Sequence, residues 1–393
     1  MKMKFLPIVL AVTLMMGGCS AKATENTNEN VDTNEMAIEN NVENEKGELG
    51  DIGTDNSNGN EGQANDESSP GDITETSNPE VTAYKLLSAE EIETIRPNEM
   101  GEVMVIMYHG IVSKNSTYTR TAESFRADLE ELYAMGFRAL SLRDFVSGNI
   151  TTKAGYTPVV FTFDDGNQSN FNIILGESGE LNIDPDSAVG ILEAFYKKHP
   201  DFGLEATFFL NGGTAFGQKD YLDYKLNYIV DAGMDIGNHS YGHEHFSKLD
   251  AKEIEKSLGK NKIGYKDFVE NYEFDLLALP FGERPKEDDA REKLKSGNYE
   301  GVDYENIAIL NVGWRPSYSP YSGSFDKYSI LRVQSGDGKQ QMRDYLDTYY
   351  NSPGLRFISD GNPNTITIPE RRAEKLNQSL LEKFEIITYN DKE

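Results

Sequence analysis

From residue 103 onward the chain alternates short apolar runs of strand length with longer stretches whose apolar residues recur at helical spacing, a pattern that admits few folds. Residues 103–108, 137–142, 158–163, 206–210, 234–237 and 276–279 read as strands, and residues 121–135, 186–198, 221–231 and 251–269 as helices. The run 158–163 is apolar nearly throughout, as expected of a strand covered on both faces. Strands and helices taking turns imply a parallel sheet with covering helices; no repeat of solenoid type is present. Chemistry in such folds gathers at the carboxyl ends of the strands. His109-Gly110, Asp164-Asp165-Gly166 and Asn238-His239 each follow a predicted strand, so one pocket is expected to hold all three.

The first hundred residues read differently. Residues 1–19 have the form of an export signal: Lys2 and Lys4 come first, an apolar run too short to span a bilayer follows, and the stretch ends in Met16-Gly17-Gly18-Cys19. This ending resembles the lipobox of bacterial lipoproteins, with Met16 where Leu is usual, and implies lipidation at Cys19 and placement on the outer face of the cell membrane. Residues 20–95 are taken as an acidic linker, because from Ser20 to about Glu80 there is hardly an aromatic or branched apolar residue to offset the entropy of ordering; Glu90 to Asn98 is expected to start the ordered part. A flexible spacer of ~60 residues reaches about 45 Å, which sets the domain at 96–393 away from the membrane, in the zone of the cell wall.

A formal net charge of -28 excludes nucleic acid as an expected partner, since a polyanion meets repulsion over most of the surface. Much of that charge lies before residue 82, so the folded part is only moderately acidic and suits a neutral sugar polymer. The chain is expected to be a monomer. Cys19 is the only cysteine, which excludes an internal disulfide and a thiolate zinc site; a metal has to use His and carboxylate.

Thr162-Phe163-Asp164-Asp165-Gly166 and His239-Ser240-Tyr241-Gly242-His243 supply such ligands. Adjacent carboxylates at the end of a buried strand repel each other and lose hydration, which a cation compensates; Asp-Asp-Gly is also an ordinary turn sequence. His239 and His243 are four apart, so on a helical turn their rings share a face. Asp165 with both histidines makes a two-His, one-carboxylate site for Zn²⁺ foremost, or for Co²⁺, Ni²⁺ or Fe²⁺. Asp164 is left beside the metal as a candidate general base.

These two segments resemble the hallmark motifs of the polysaccharide deacetylases of carbohydrate esterase family 4, and residues 206–209 and Leu279-Pro280-Phe281-Gly282 are similar to further family segments. The resemblance covers approximately residues 100–340. It implies an α/β fold of the distorted (β/α)₇ barrel type, with Asp164 as base, Asp165, His239 and His243 on the metal, and a backbone N–H of Phe281 at the developing oxyanion. The sequence departs from the family twice: no Arg shortly precedes Pro280, and no His follows His245 to supply the late Leu-x-His acid. The earlier Ile106-Met107-Tyr108-His109-Gly110-Ile111 resembles the opening segment of biofilm poly-N-acetylglucosamine deacetylases, a circularly permuted branch, and implies that His109 is the acid. The function implied is metal-dependent N-deacetylation of an acetylated glucosamine polysaccharide. Peptidoglycan, chitin oligomers or an O-acetylated sugar are alternative substrates, and a catalytically silent carbohydrate-binding protein is the reading from another class.

Trp314 is a candidate for stacking on sugar, with a core position equally open. His245, two residues past His243, is expected off the ligand face, and His199 at a helix end. Tyr318, Tyr321 and Asp337 lie in a loop-rich region without an assigned role. Residues 176–187 read as an insertion beside the pocket.

Overall fold

The computed structural model describes residues 84–391 except Thr214. The leader with Cys19 and the linker as far as residue 83 lie outside the described residues. Within the stretch assigned to the linker, helix α1 (Ala89–Ile95) is formed, so ordered structure starts before residue 96. Its cause is local: Ser88 Oγ accepts from the Glu91 N–H while the Glu91 carboxylate accepts from the Ser88 N–H, satisfying two free donors of the first turn. No described helix is long and apolar enough to cross a membrane.

Eight strands make the central sheet: β1 (Met104–Tyr108), β2 (Phe137–Ala139), β3 (Thr157–Phe163), β4 (Thr207–Leu210), β5 (Asp235–Asn238), β6 (Leu276–Ala278), β7 (Ala308–Leu310) and β8 (Val333–Gln334). They run parallel in the order β7-β6-β5-β4-β3-β1-β8, and β2 pairs with the first residues of β3. Ile330 bridges Leu310 at the end of β7, three residues before β8 begins along β1, so residues 330–334 join the two edges of the curled sheet. This is the distorted (β/α)₇-type barrel expected.

Helices α2 (Ala122–Ala134), α3 (Leu142–Ser147), α4 (Ala188–Lys198), α5 (Leu222–Asp231) and α6 (Ala251–Tyr265) follow the strands. Two expectations shift. The run 137–142 divides into β2 and α3, because Ser141 Oγ accepts from the Asp144 N–H and starts a helix there. The helix at 251–269 ends at Tyr265, and residues 267–271 form turns.

Side chains of a strand alternate between its faces, and here the two faces have separate cores. Ile106, Phe161, Phe163, Phe208 and Ile236 pack outward with Phe125 and Leu129 of α2, Phe195 of α4 and Leu226 of α5. Val105, Val160, Phe209, Leu276, Ala278, Ala308 and Leu310 belong to the second core, which continues into Phe145, Tyr321 and Phe357. Each fully buried Phe adds about 1.5–3 kcal/mol. Space inside the ring is short: a Cβ on Gly237 would lie 2.6 Å from the Phe209 ring, so β5 needs glycine there.

Candidate active site and metal centre

Continuing that alternation past the strand ends explains why distant residues meet. His109 follows Val105 and Met107 in the inward register of β1, Asp164 follows Val160 and Thr162 of β3, and His239 follows Gly237 of β5. The strands are in step at that level: Tyr108 pairs with Phe163, the Asp164 N–H donates to the Tyr108 carbonyl at 2.9 Å, and the His239 N–H donates to the Leu210 carbonyl at 3.0 Å. One mouth of the ring therefore collects all three side chains.

Asp165 then turns back over this mouth. Its φ is +76°, and one carboxylate oxygen lies 3.5 Å from Nε2 of His239 and 3.5 Å from Nε2 of His243. The donor atoms of Asp165, His239 and His243 all lie within 4.8 Å of one another. His239 Nδ1 is 2.9 Å from the Ala278 carbonyl; donating there fixes the tautomer and turns the Nε2 lone pair inward. The expected helical turn between the histidines is not formed: Ser240 and His243 both have positive φ, at 65° and 52°. A left-handed turn, costing on the order of 1–3 kcal/mol per such residue, brings the rings together instead. Two N donors and one O donor converging from three directions suit a divalent cation of the Zn²⁺ type, so the residues present fit the group.

Asp164 is buried, and both its oxygens accept from Arg332, Nη1 to Oδ1 and Nη2 to Oδ2, each at 2.7 Å. Burial alone would raise its pKa, but Arg332, His239 and His109 outweigh that and hold the carboxyl well below its usual range. Burial likewise lowers His109 and His243, whereas for His239 the charges of Asp164 and Asp165 overcome burial and raise it. His109 follows Tyr108, whose carbonyl accepts from the Asp164 N–H, and its Nδ1 is buried without a partner among the described residues. Tyr118, half exposed, sets its ring edge against that imidazole at 5.1 Å between centroids.

The other candidates divide. Phe281 is 48% exposed, has φ +57°, and meets the edge of His243 at 4.4 Å and the face of His245 at 4.1 Å. Trp314 is 61% exposed, so the core alternative is excluded; it lies four residues past β7, and its carbonyl accepts from Tyr345. Tyr321 is a core residue bonded to the Gly148 carbonyl and faces no ligand, whereas Tyr318 is exposed under Arg315. Asp337 pairs with Arg120 at 3.1 Å. His199 ends α4 as expected. The insertion at 176–187 contributes to a hairpin of Ile173–Leu175 and Leu181–Ile183, with Leu175 and Leu181 exposed.

Three contributors escaped the sequence reading. Arg332 reaches Asp164 from the closing segment, and its only sequence signal is a charge inside the apolar run Ile330-Leu331-Arg332-Val333. Asn261 of α6, fully buried, donates to the carbonyls of Leu210 and Ser240 and to Asn238 Oδ1, which in turn accepts from the Ser240 N–H. This holds the turn between the histidines. Glu283 accepts from His245 Nδ1 at 3.1 Å and from Ser247 Oγ.

The barrel thus carries at its mouth a two-His, one-carboxylate cluster that could hold a metal ion, with a buried carboxylate beside it. Residues 152–302, which contain both the Asp164-Asp165 and the His239 to His243 segments, match the family model described as polysaccharide deacetylase. His109, Trp314 and Arg332 lie outside the matched stretch. Among solved structures, the chain is similar to a deacetylase, PplD, from Streptococcus pyogenes, solved in complex with acetate (15% identity, 63% of this chain and 97% of that one, TM-score 0.46). It is also similar to IcaB from Ammonifex degensii (16%, 65% and 97%, TM-score 0.43) and to the polysaccharide deacetylase BC0361 from Bacillus cereus (16%, 62% and 68%, TM-score 0.45). No curated protein matches the sequence.

Proposed function

We propose that this chain is a metal-dependent N-deacetylase of an N-acetylglucosamine-containing extracellular polysaccharide. The observation that carries the reading is the convergence of Asp165, His239 and His243 within 4.8 Å, with Asp164 4.0 Å from His239 and His109 just past the end of the adjacent strand β1. A divalent cation held by these three residues would supply Lewis acidity to the acetamide oxygen and favour ionisation of water. Asp164 takes the proton of the attacking water; Arg332 holds both its oxygens and keeps it ionised for that duty. His109 delivers a proton to the amide nitrogen as the C–N bond breaks, so that acetate and an amine leave. Phe281 and Trp314 flank the sugar, with a backbone N–H of Phe281 directed to the oxyanion. Lipidation at Cys19 and a location on the outer face of the membrane belong to the same proposal and are supported by the leader sequence.

The test compares two neighbouring carboxylates. Asp164→Asn is expected to keep bound zinc and lose acetate release from N-acetylglucosamine oligomers by at least a hundredfold, and Asp165→Ala to lose both. Equal zinc loss in the two variants contradicts the assignment of roles.

A further inference from the structure

Residues 112–118 form a loop whose side chains are all exposed, yet the loop is tied by hydrogen bonds along most of its length. The Ser116 N–H donates to the Thr119 carbonyl at 2.9 Å, the Tyr118 N–H to Ser116 Oγ at 3.2 Å, and Thr119 Oγ1 to the Lys114 carbonyl at 2.9 Å. Asn115 joins the loop to the start of α2: its Oδ1 accepts from the Thr121 N–H at 2.7 Å and its Nδ2 donates to Ser124 Oγ at 2.8 Å. The chain then returns beside its own start, with Thr119 and Arg120 paired to Gly110 and Ile111. Arg120 locks this return. It is 2% exposed, and its Nε and Nη2 donate to the two oxygens of Asp128 at 3.0 and 2.6 Å. Asp128 Oδ2 also accepts from the hydroxyl of Tyr108, the residue before His109, at 3.2 Å. One buried carboxylate therefore moors both the residue that precedes His109 and the segment that carries Tyr118.

The outcome is an aromatic ring, 49% exposed, held 5.1 Å from the His109 imidazole between centroids, with 67° between the planes. A T-shaped contact of this kind covers at most one face of the phenol. In the proposed reaction His109 gives its proton to the amide nitrogen, and that nitrogen is bonded directly to the pyranose. The sugar must then lie against what stands beside His109 at the mouth. Phe281 and Trp314 follow β6 and β7, whereas Tyr118 stands on the β1 side, against the imidazole itself. A ring with an open apolar face and a hydroxyl at its rim matches a pyranose, which has an apolar C–H face edged by hydroxyls. Because the loop is bonded in place before any ligand arrives, little ordering cost is set against the contact.

We infer that Tyr118 binds sugar on the leaving-group side of the site, its open face packed against the pyranose that keeps the amine. The inference rests on the proposed function, since it uses the direction in which His109 delivers its proton.

Binding of penta-N-acetylchitopentaose is measured by calorimetry on zinc-loaded Asp164→Asn protein, which leaves the ligand intact, and acetate release on protein with Asp164 in place. Tyr118→Ala is expected to raise Kd and KM about fivefold to thirtyfold with kcat within about threefold, and Tyr118→Phe, which keeps the ring, to lose at least threefold less. The rise in Kd is expected to persist when Tyr118→Ala is combined with His109→Ala, where no imidazole is left for Tyr118 to support. An unchanged Kd with a fallen kcat overturns the inference and makes the ring a brace for His109; so does a Kd effect that vanishes once His109 is Ala. Wild-type protein that binds the pentamer but releases no acetate, with binding still weakened by Tyr118→Ala, sinks the deacetylase reading and leaves the contact standing; absence of wild-type binding sinks both.

Discussion

Replacing Arg332 with Met leaves the carboxylate of Asp164 buried inside the barrel with its principal counter-charge gone. Arg332 is 0% exposed and makes two bonds of 2.7 Å to Asp164, one of 3.2 Å to Thr162 Oγ1 and one of 2.7 Å to the Asn311 carbonyl. Breaking a buried pair by removing one partner costs about 3–5 kcal/mol, because the remaining charge is uncompensated. That is a large fraction of the ~5–15 kcal/mol that holds a domain folded. Removing the charge as well changes the sum: in Arg332→Met/Asp164→Asn no ion is stranded, so the double variant should be less damaged than the two single losses added together, by about 2 kcal/mol or more. Urea unfolding of the four proteins, wild type included, with equal m-values, measures this coupling. Additive losses would refute the claim that Arg332 exists to hold the buried Asp164 charge, as would a single-variant loss below about 1 kcal/mol.

Asn261→Ala removes the donor that pins the carbonyls of Leu210 and Ser240, so zinc affinity measured by chelator competition should fall about tenfold to a hundredfold, and an unchanged affinity would detach α6 from the metal centre. Glu205 is raised from 4.5 to about 7 by burial and then by Asp144 and Asp235. The folded state thus holds a proton that the unfolded state has shed, and stability contributed by the neutral acid is full below pH ~4.5 and lost as pH rises through ~7. Glu205→Gln should therefore match wild type at pH 4.5 and be more stable at pH 8 by about 1–3 kcal/mol, a range reduced for the partial exposure of the group. Equal melting temperatures of the two proteins at pH 8 would contradict it.

The strands that carry chemistry were legible because a parallel strand covered on both faces reads as an unbroken apolar run, and β1 and β3 each stop next to a polar residue of the site, His109 and Asp164. Their position just past the carboxyl ends of predicted strands pointed to a shared pocket for His109, Asp164 and His239 without any knowledge of sheet order. Spacing was a poorer guide to the His239 to His243 turn. A separation of four suggests a helix, but Asn238 and Asn261 capture the backbone groups that a helix would have used, and the chain turns left-handed. The closing segment was illegible for a different reason: β8 has two residues, too few for any periodicity, and its pairing with β1 spans more than two hundred positions. Arg332 went unread with it. Trp314 shows the limit of residue type alone, since only its surroundings distinguish an exposed ring from a core one.

Crystals grown with zinc, with data collected across the zinc absorption edge, test the central claim most directly. The ion is expected at about 2.0–2.2 Å from one oxygen of Asp165 and from Nε2 of both His239 and His243, with the Asp164 carboxylate still clasped by Arg332 and not bound to the ion. An anomalous peak held by other residues, such as His245 and Glu283, or none among Asp165, His239 and His243 at saturating zinc, would contradict it.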